Sequence, residues 1–327
     1  MKSLIKRGLG GALSCRVFDT WLERLFKSRK VILNFHYVGE SVSYYESFFG
    51  GLTLRRFDEQ LTLLSHYFDF VPLSRILENE VSNKPVLAIT FDDGFNLIRS
   101  GVKDILEKHQ AYATTFVIGS CLNNQSLMWR NKISAMKAIK GEVALVQVFN
   151  DIAHVFNCHP VGSFSELLHR SLFWRVEDIH PILDVVWARL ELPLLKEYLR
   201  QEAPYFTIEE LQDWVSAGHE VGCHTYSHFS ARALGAGQIE TEYLQPARDL
   251  CGIFSKEVIP FSYPFGVRFE GLMDEQLRMS RLFSTLLGVG GFSREDTSVF
   301  DLERLSADAL FDRDLVFGLV KNAWSAL

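Results

Sequence analysis

Val86-Leu87-Ala88-Ile89-Thr90-Phe91-Asp92-Asp93-Gly94 is the stretch on which the fold turns. Its first six residues are apolar or β-branched and too few for a helix, so they read as a buried strand of a parallel sheet. Two adjacent carboxylates stand where the strand ends, and Gly94 lets the backbone turn sharply after them. A second junction of this kind lies far downstream, where Val221-Gly222-Cys223 runs into His224-Thr225-Tyr226-Ser227-His228. Alone, an Asp-Asp-Gly is a turn, and histidines four apart suit a surface or a cap. Together they are a ligand set for a divalent metal with one acidic group left over, which points to metal-assisted hydrolysis.

Outward from these junctions the chain alternates strands with helices. Strands are expected over 31–35, 68–73, 86–91, 114–118, 220–223, 258–262 and 285–289, with helices over 57–64 and 98–109. Thr207-Ile208-Glu209-Glu210 reads as a capping box opening a helix that Gly218 ends. Repeated βα units imply a parallel sheet covered by helices, either a barrel or an open doubly wound sheet. Residues 122–205 break the rhythm with helices expected over 128–140, 143–155, 164–172 and 176–200. The segment reads as a helical insertion that serves as a lid, a substrate-binding cap or an oligomerisation surface. The expected organisation is an N-terminal helix over 1–30, a first barrel part over 31–121, the insertion over 122–205 and a second barrel part over 206–327.

Composition bounds the rest. With 327 residues, 47% hydrophobic content and 26 Phe the chain is globular, and a net charge of -6 gives no argument for nucleic acid. Five scattered cysteines without a CxxC pair suit a reducing compartment. No run reaches the ~18 to 20 apolar residues of a membrane span, and no signal-peptide pattern stands at the start, so a cytoplasmic location is expected. The first thirty residues are basic, with Leu13, Val17, Trp21, Leu22 and Leu25 at helical spacing beside the charges. Such a helix either lies on an anionic membrane, here the inner face, or docks on the domain with its charges solvated.

A parallel barrel builds its site at the C-terminal ends of its strands. Four expected strand ends carry polar groups: His36, then Asp92 with Asp93, then His224 with His228, then Tyr263 within Phe261-Ser262-Tyr263-Pro264-Phe265-Gly266. Adjacent residues of an extended segment point opposite ways, so one carboxylate can bind metal while the other faces the attacking water. Asp93, His224 and His228 would be three ligands with positions left open, the catalytic rather than the closed structural pattern. Cys223 points away from His224 and reads as core, while His219 reads as exposed or capping. Trp129 and Arg130 open the insertion near the barrel mouth, where they either contact the substrate or fill core and surface places.

Thr90-Phe91-Asp92-Asp93-Gly94 and His224-Thr225-Tyr226-Ser227-His228 resemble the first two motifs of the polysaccharide deacetylases, the NodB-homology carbohydrate esterases. Phe261 to Gly266 resembles the third motif of one branch of that family. Stretches around 31–36, 57–74 and 207–220 are also similar to that branch, so the likeness covers about 31–120 and 206–310. The resemblance implies a distorted (β/α) barrel of about seven strands that removes acetyl or related acyl groups from amino sugars. It implies Asp92 as general base, Asp93, His224 and His228 as ligands of a metal, usually zinc (cobalt or nickel otherwise), and the Tyr263 backbone N–H as an oxyanion donor.

Two departures stand out. Most members carry a late general-acid histidine, but no histidine follows His228 here. One branch supplies the acid from its first strand, which gives that role to His36. The third motif also lacks the arginine that orients the base, and Arg304 is offered in its place. The expected function is metal-dependent N-deacetylation of an amino sugar in a polysaccharide, a glycolipid or a lipid-linked precursor. An O-acetyl esterase, an N-deformylase and a non-catalytic sugar-binding barrel are the alternatives.

Overall fold

The computed structural model describes residues 24–40, 44, 51–78, 82–308 and 318–319. The basic amphipathic helix expected over 1–30 therefore lies mostly outside the described residues; only its end, helical over 24–27, falls within them. No helix among the described residues is long and apolar enough to cross a membrane.

The strands are β1 (Arg29–Phe35), β2 (Asp69–Phe70), β3 (Val86–Phe91), β4 (Ala113–Val117), β5 (Glu220–Cys223), β6 (Ile259–Ser262), β7 (Phe283–Gly288), β8 (Ser293–Arg294), β9 (Leu302–Glu303) and β10 (Leu305–Ser306). They join in the order β10-β1-β3-β4-β5-β6-β7-β9, with β2 beside β3 and β8 antiparallel to β1. Every ladder on that main path is parallel. The two edges of the sheet, β9 and β10, are separated in sequence by Arg304 alone. One run of chain thus pairs with β7 on one side and β1 on the other, and the sheet closes into a distorted barrel at that residue. With β9–Arg304–β10 in the last place, the barrel has the expected strand number.

Period-two alternation sorts side chains between the two sides of this sheet. Val31, Leu33, Leu87 and Ile89 belong to the large core under the helices. Ile32, Ala88, Phe116, Leu287 and Leu302 instead form a small apolar cluster with Leu73 and Ile76 of a short helix, α2 (Leu73–Leu77). The same alternation puts Asn34 and His36 of the first strand, and Thr90 and Asp92 of the third, on the interior side. Gly222 sits opposite Phe116 in the β4–β5 ladder, and a Cβ there would come within 2.4 Å of the ring. The large ring fits only because Gly222 has no side chain.

Helix α1 (Leu54–Ser65) precedes α2, and α3 (Val102–Lys108) follows β3. Then come α4 (Trp129–Lys140), α5 (Glu142–Ala153), α6 (Phe164–Ser171), α7 (Val176–Arg189) and α8 (Leu195–Glu202), which occupy the expected insertion. The return to the barrel is pinned beside the first junction: Phe206 donates its N–H to Gly94 O at 3.2 Å, and Phe95 bridges Tyr205. Helix α9 (Ile208–Ser216) carries the expected capping box, with both Thr207–Glu210 hydrogen bonds formed. It buries Leu211 and Trp214 completely, and emptying the Trp214 site would cost about 3–5 kcal/mol. Helices α10 (Gln245–Phe254) and α11 (Leu272–Met279) complete the set named here.

Four local expectations change. The strand expected over 68–73 is only Asp69–Phe70, because Pro72 starts α2. The helix expected over 98–109 begins at Val102, after Gly101 in a left-handed turn (φ 86°). The helix expected over 176–200 is two, broken where Glu191 turns left-handed (φ 51°) ahead of Pro193. His219 is not exposed. Gly218 (φ 91°) turns the chain back so that His219 stacks on Trp214 at 3.9 Å and accepts the Ala113 N–H at 3.3 Å. Burial lowers its pKa to about 4, so it is a neutral core residue.

Candidate active site and metal centre

Asp93, His224 and His228 converge although the two junctions lie 131 positions apart at Asp93 and His224. The chain turns left-handed at Asp93 (φ 69°) and Gly94 (φ 69°), and a Cβ on Gly94 would press on Val117 Cα at 3.0 Å. This turn swings Asp93 away from the side that Asp92 faces. In the second junction Thr225 and His228 are also left-handed (φ 67° and 61°), strain of a kind that collects at functional sites. Hydrogen bonds over-determine that loop. His228 donates its N–H to Thr225 Oγ1 at 2.9 Å, and Ser227 donates to the Glu242 carboxylate at 3.0 Å. Trp129 Nε1–H, from the insertion, reaches the His228 carbonyl at 3.2 Å.

The donor atoms fit a divalent ion. Asp93 Oδ1 lies 3.2 Å from His228 Nε2 and 3.6 Å from His224 Nε2, and all three ligand atoms fall within 4.8 Å of one another. Metal–nitrogen bonds of about 2.0–2.1 Å in a tetrahedron require ligand separations of roughly 3.4 Å. His224 Nδ1–H donates to Ser262 O at 2.8 Å, which leaves the Nε2 lone pair facing Asp93. Asp93 Oδ1 is buried and accepts no hydrogen bond of good geometry, a costly state that a cation relieves. Burial lowers the pKa of His228 and keeps it neutral, as ligation requires. Burial opposes the charge on Asp93, but His228 and His224 outweigh it and hold the carboxyl well below its usual range.

Asp92 lies beside the ligand set, its Oδ2 4.0 Å from His224 Nε2, and is held from behind by a buried polar network. Arg304 grips it with both arms, Nη1 to Oδ1 and Nη2 to Oδ2, each at 2.8 Å. The same guanidinium donates to Asn34 Oδ1 (2.9 Å), Thr90 Oγ1 (3.0 Å) and Ser262 Oγ, and it lies 5.3 Å over the Phe116 ring. Arg304 is 0% exposed and Asp92 3%. Burial by itself would push the Asp92 pKa up; the Arg304 charge outweighs it and brings the carboxyl to about 2.

His36 stands across the cavity with a partner that sequence reading missed. Asp308 accepts the His36 backbone N–H through Oδ1 at 2.9 Å and contacts its Nδ1 through Oδ2 at 2.8 Å. The Asp308 carboxylate is buried, whereas the His36 side chain is 19% exposed and lines the cavity. Burial opposes a charge on His36, but Asp308 dominates and raises its pKa to about 9. The imidazole therefore carries a proton, on a side chain that lines the cavity. Nothing in the local sequence marks Asp308, which is 272 positions from its partner.

Tyr263 does not supply the expected donor. Its N–H is spent on Leu287 O at 3.0 Å, because the β6–β7 ladder runs one residue beyond Ser262. Its ring is buried behind Arg268 rather than in the cavity. Phe265, left-handed at φ 59°, lines the cavity instead and packs against His228 at 4.9 Å. The cavity, about 240 Å³, gathers His36, Asp92, Asp93, His224 and His228 on one set of walls, with Arg130 of the insertion on another. Cys223 is buried in the core as expected, and Trp129 is a core residue, 2% exposed.

The sequence profile of the family described as polysaccharide deacetylase matches residues 79–161 and 192–278, together just over half of the chain. No curated protein matches it by sequence. Among solved structures, the Streptococcus pyogenes deacetylase PplD, in complex with acetate, superposes with a TM-score of 0.57 at 15% identity, over 88% of this chain and 97% of its own. The de-N-acetylase of Aggregatibacter actinomycetemcomitans gives 0.53 at 11% over 88% and 99%. IcaB of Ammonifex degensii gives 0.51 at 15% over 91% and 97%. At such identities the likeness is one of fold.

Proposed function

Since the chain belongs to the polysaccharide deacetylase family, we propose that it is a metal-dependent hydrolase removing N-acetyl groups from amino sugars of a polysaccharide, a glycolipid or a lipid-linked precursor. The observation that carries this reading is a single cavity with an Asp-His-His ligand set, an Arg-held carboxylate on one side and an Asp-held histidine on the other.

Asp93, His224 and His228 would hold the metal, and the borderline N/O donor set favours zinc, with cobalt or nickel as substitutes. When bound, it supplies Lewis acidity, lowering the pKa of water at the site to roughly 7 and polarising the acetamido carbonyl. Asp92 takes the water's proton as general base. A carboxylate held near pKa 2 is ionised at neutral pH and so is in the form that can accept a proton. Arg304 fixes both of its oxygens, leaving one geometry for the transfer.

His36 gives a proton to the departing amine, and Asp308, which holds Nδ1–H, keeps the ring charged and oriented for that transfer. An amine leaves poorly without protonation and an alcohol leaves well, so a histidine held charged favours the amide over an O-acetyl ester. The oxyanion donor shifts from Tyr263 to Phe265. Tyr263 and Gly266 donate their N–H groups to carbonyls and Pro264 has none, so the donor proposed in their place is the N–H of Phe265, a residue that lines the cavity.

Metal content by mass spectrometry, together with acetate release from N-acetylated chito-oligosaccharides, tests the reading. The wild type is expected to bind about one zinc, cobalt or nickel per chain, and His224→Ala with His228→Ala to lose it. Asp92→Asn should keep the metal and lose about 10²–10⁴-fold in turnover. A folded wild type that refuses all three metals would overturn the enzyme reading.

A further inference from the structure

The two candidate ligand histidines are joined by three residues, and the backbone of that short loop is strained. Thr225 and His228 are left-handed (φ 67° and 61°), a state that persists only where the surroundings over-determine it. The rings of His224 and His228 stand 4.8 Å apart, centroid to centroid, and this spacing brings both Nε2 atoms beside Asp93. The carbonyls of the loop are pinned to the segment after β4: Gly119 donates its N–H to Thr225 O at 3.0 Å and Ser120 to Tyr226 O at 2.9 Å.

The N–H groups of Tyr226 and Ser227 both go to one residue, Glu242. Tyr226 donates to its carbonyl at 2.8 Å and Ser227 to its carboxylate at 3.0 Å. Glu242 is buried in a single π-helical turn, Glu240–Leu244, that runs into α10. The sequence accounts for the free carbonyl. In an α-helix that oxygen would accept from the residue four positions on, which is Pro246 and has no N–H. The wider turn, a rare form that gathers at functional sites, thus offers a main-chain and a side-chain acceptor of one residue to two consecutive amides. Glu242 belongs neither to the ligand set nor to the residues that line the cavity.

We propose that Glu242 is a positioning residue for the metal: it fixes the peptide units between His224 and His228 and thereby the spacing of the two imidazoles. This rests on the metal-dependent reading of the same cavity. Without the carboxylate the Ser227 amide is released, the left-handed residues on either side lose a restraint, and an arriving ion must order the loop itself. Partners that orient metal ligands from outside the ligand set are typically worth about 10–100-fold in affinity.

The test is the zinc affinity of the full-length protein, read by titration against a competing chelator. Glu242→Met keeps the bulk of the side chain without the acceptor and should bind zinc about 10–100-fold more weakly than the wild type. Glu242→Gln keeps an acceptor oxygen and should stay within about threefold. Leu64→Ala, a buried site on α1 away from the loop, is the stability control: it should lower the urea midpoint and leave zinc affinity unchanged. Amide hydrogen exchange of the metal-free wild type needs no variant and decides the matter even if Glu242→Met does not fold. The Tyr226 and Ser227 N–H groups should be protected before any ion binds. Unchanged affinity in Glu242→Met, an equal loss in Glu242→Gln, a matching loss in Leu64→Ala or an unprotected Ser227 amide each overturns the inference. A wild type that takes up no metal sinks the parent reading with it, whereas a wild type that binds zinc no better than Glu242→Met leaves that reading standing.

Discussion

Replacing Arg304 by methionine should cost more than its contacts and should do so in a pH-dependent way. The side chain is fully buried, and it supplies the two 2.8 Å bonds that compensate the Asp92 charge. Removing one partner of a buried pair strands the other charge, at a cost of about 3–5 kcal/mol. The pairing accounts for much of this: a carboxyl moved from 3.8 to about 2 is stabilised in its charged form by about 2 kcal/mol. In the wild type the folded pKa of Asp92 is depressed. Its contribution is therefore present above the unfolded value and is lost as pH falls from about 4 through about 2. In Arg304→Met burial is opposed only by His224, His36 and the Ser262 hydroxyl, the folded pKa is expected to rise above the unfolded one, and the sign then reverses. The variant then regains stability as pH falls from neutrality, because protonation discharges the stranded group. Urea unfolding of the metal-free proteins at pH 7 and near pH 4 should show the gap between wild type and variant narrowing by about 1–3 kcal/mol. Adding Asp92→Asn to Arg304→Met should recover a similar amount at pH 7. A gap that is constant with pH and untouched by Asp92→Asn would mean that Arg304 matters through packing on Phe116 and not through its charge.

Two further outcomes follow from the geometry. Asp308→Asn removes the contact that raises the His36 pKa to about 9 against the opposing burial, so the protonated acid should be lost at or below about pH 6.5 in the variant. The basic limb of the kcat/KM profile for acetate release should move down accordingly while metal content stays unchanged, and His36→Ala should abolish that limb; an unmoved limb in Asp308→Asn would remove His36 as the acid. Gly222→Ala should destabilise the fold by about 1–3 kcal/mol in urea unfolding, because its Cβ meets the Phe116 ring at 2.4 Å and Pro260 O at 2.8 Å. An unchanged midpoint would show that the ring can move aside without loss.

What was legible in the sequence was whatever is local. The apolar run before Asp92 and the short one before His224 each signal a strand end within a few residues, so the candidate metal-ligand set could be read from two segments. The capping box at Thr207 is likewise local, and it formed as expected. The misreadings have a common cause in turns. A left-handed residue redirects the chain after one position, and it did so at Gly101, Glu191 and Gly218. Tyr263 was misassigned because hydrogen bonding along a ladder does not stop where the apolar pattern stops. Its N–H stays in the sheet, and the left-handed Phe265 becomes the residue at the cavity wall. Asp308 left no trace because a single carboxylate becomes informative only through a partner brought near by the whole barrel.

The seam of the barrel joins these two kinds of information. Arg304, which holds the proposed base, and Asp308, which holds the proposed acid, lie on the one stretch that closes the sheet between β7 and β1. Arg304 is fixed by its own N–H to Gly288 O at 3.2 Å on one side of the seam, and Ala307 by its N–H to Asn34 O at 2.8 Å on the other. If those pairings open, the guanidinium leaves Asp92 and the carboxylate leaves His36 together. The proposed base and acid are thus held by the same ladder bonds that close the fold, while the proposed metal ligands hang from β3 and the loop after β5. A lesion at the seam should therefore silence proton transfer and spare metal binding, whereas a lesion in the His224–His228 loop should do the reverse.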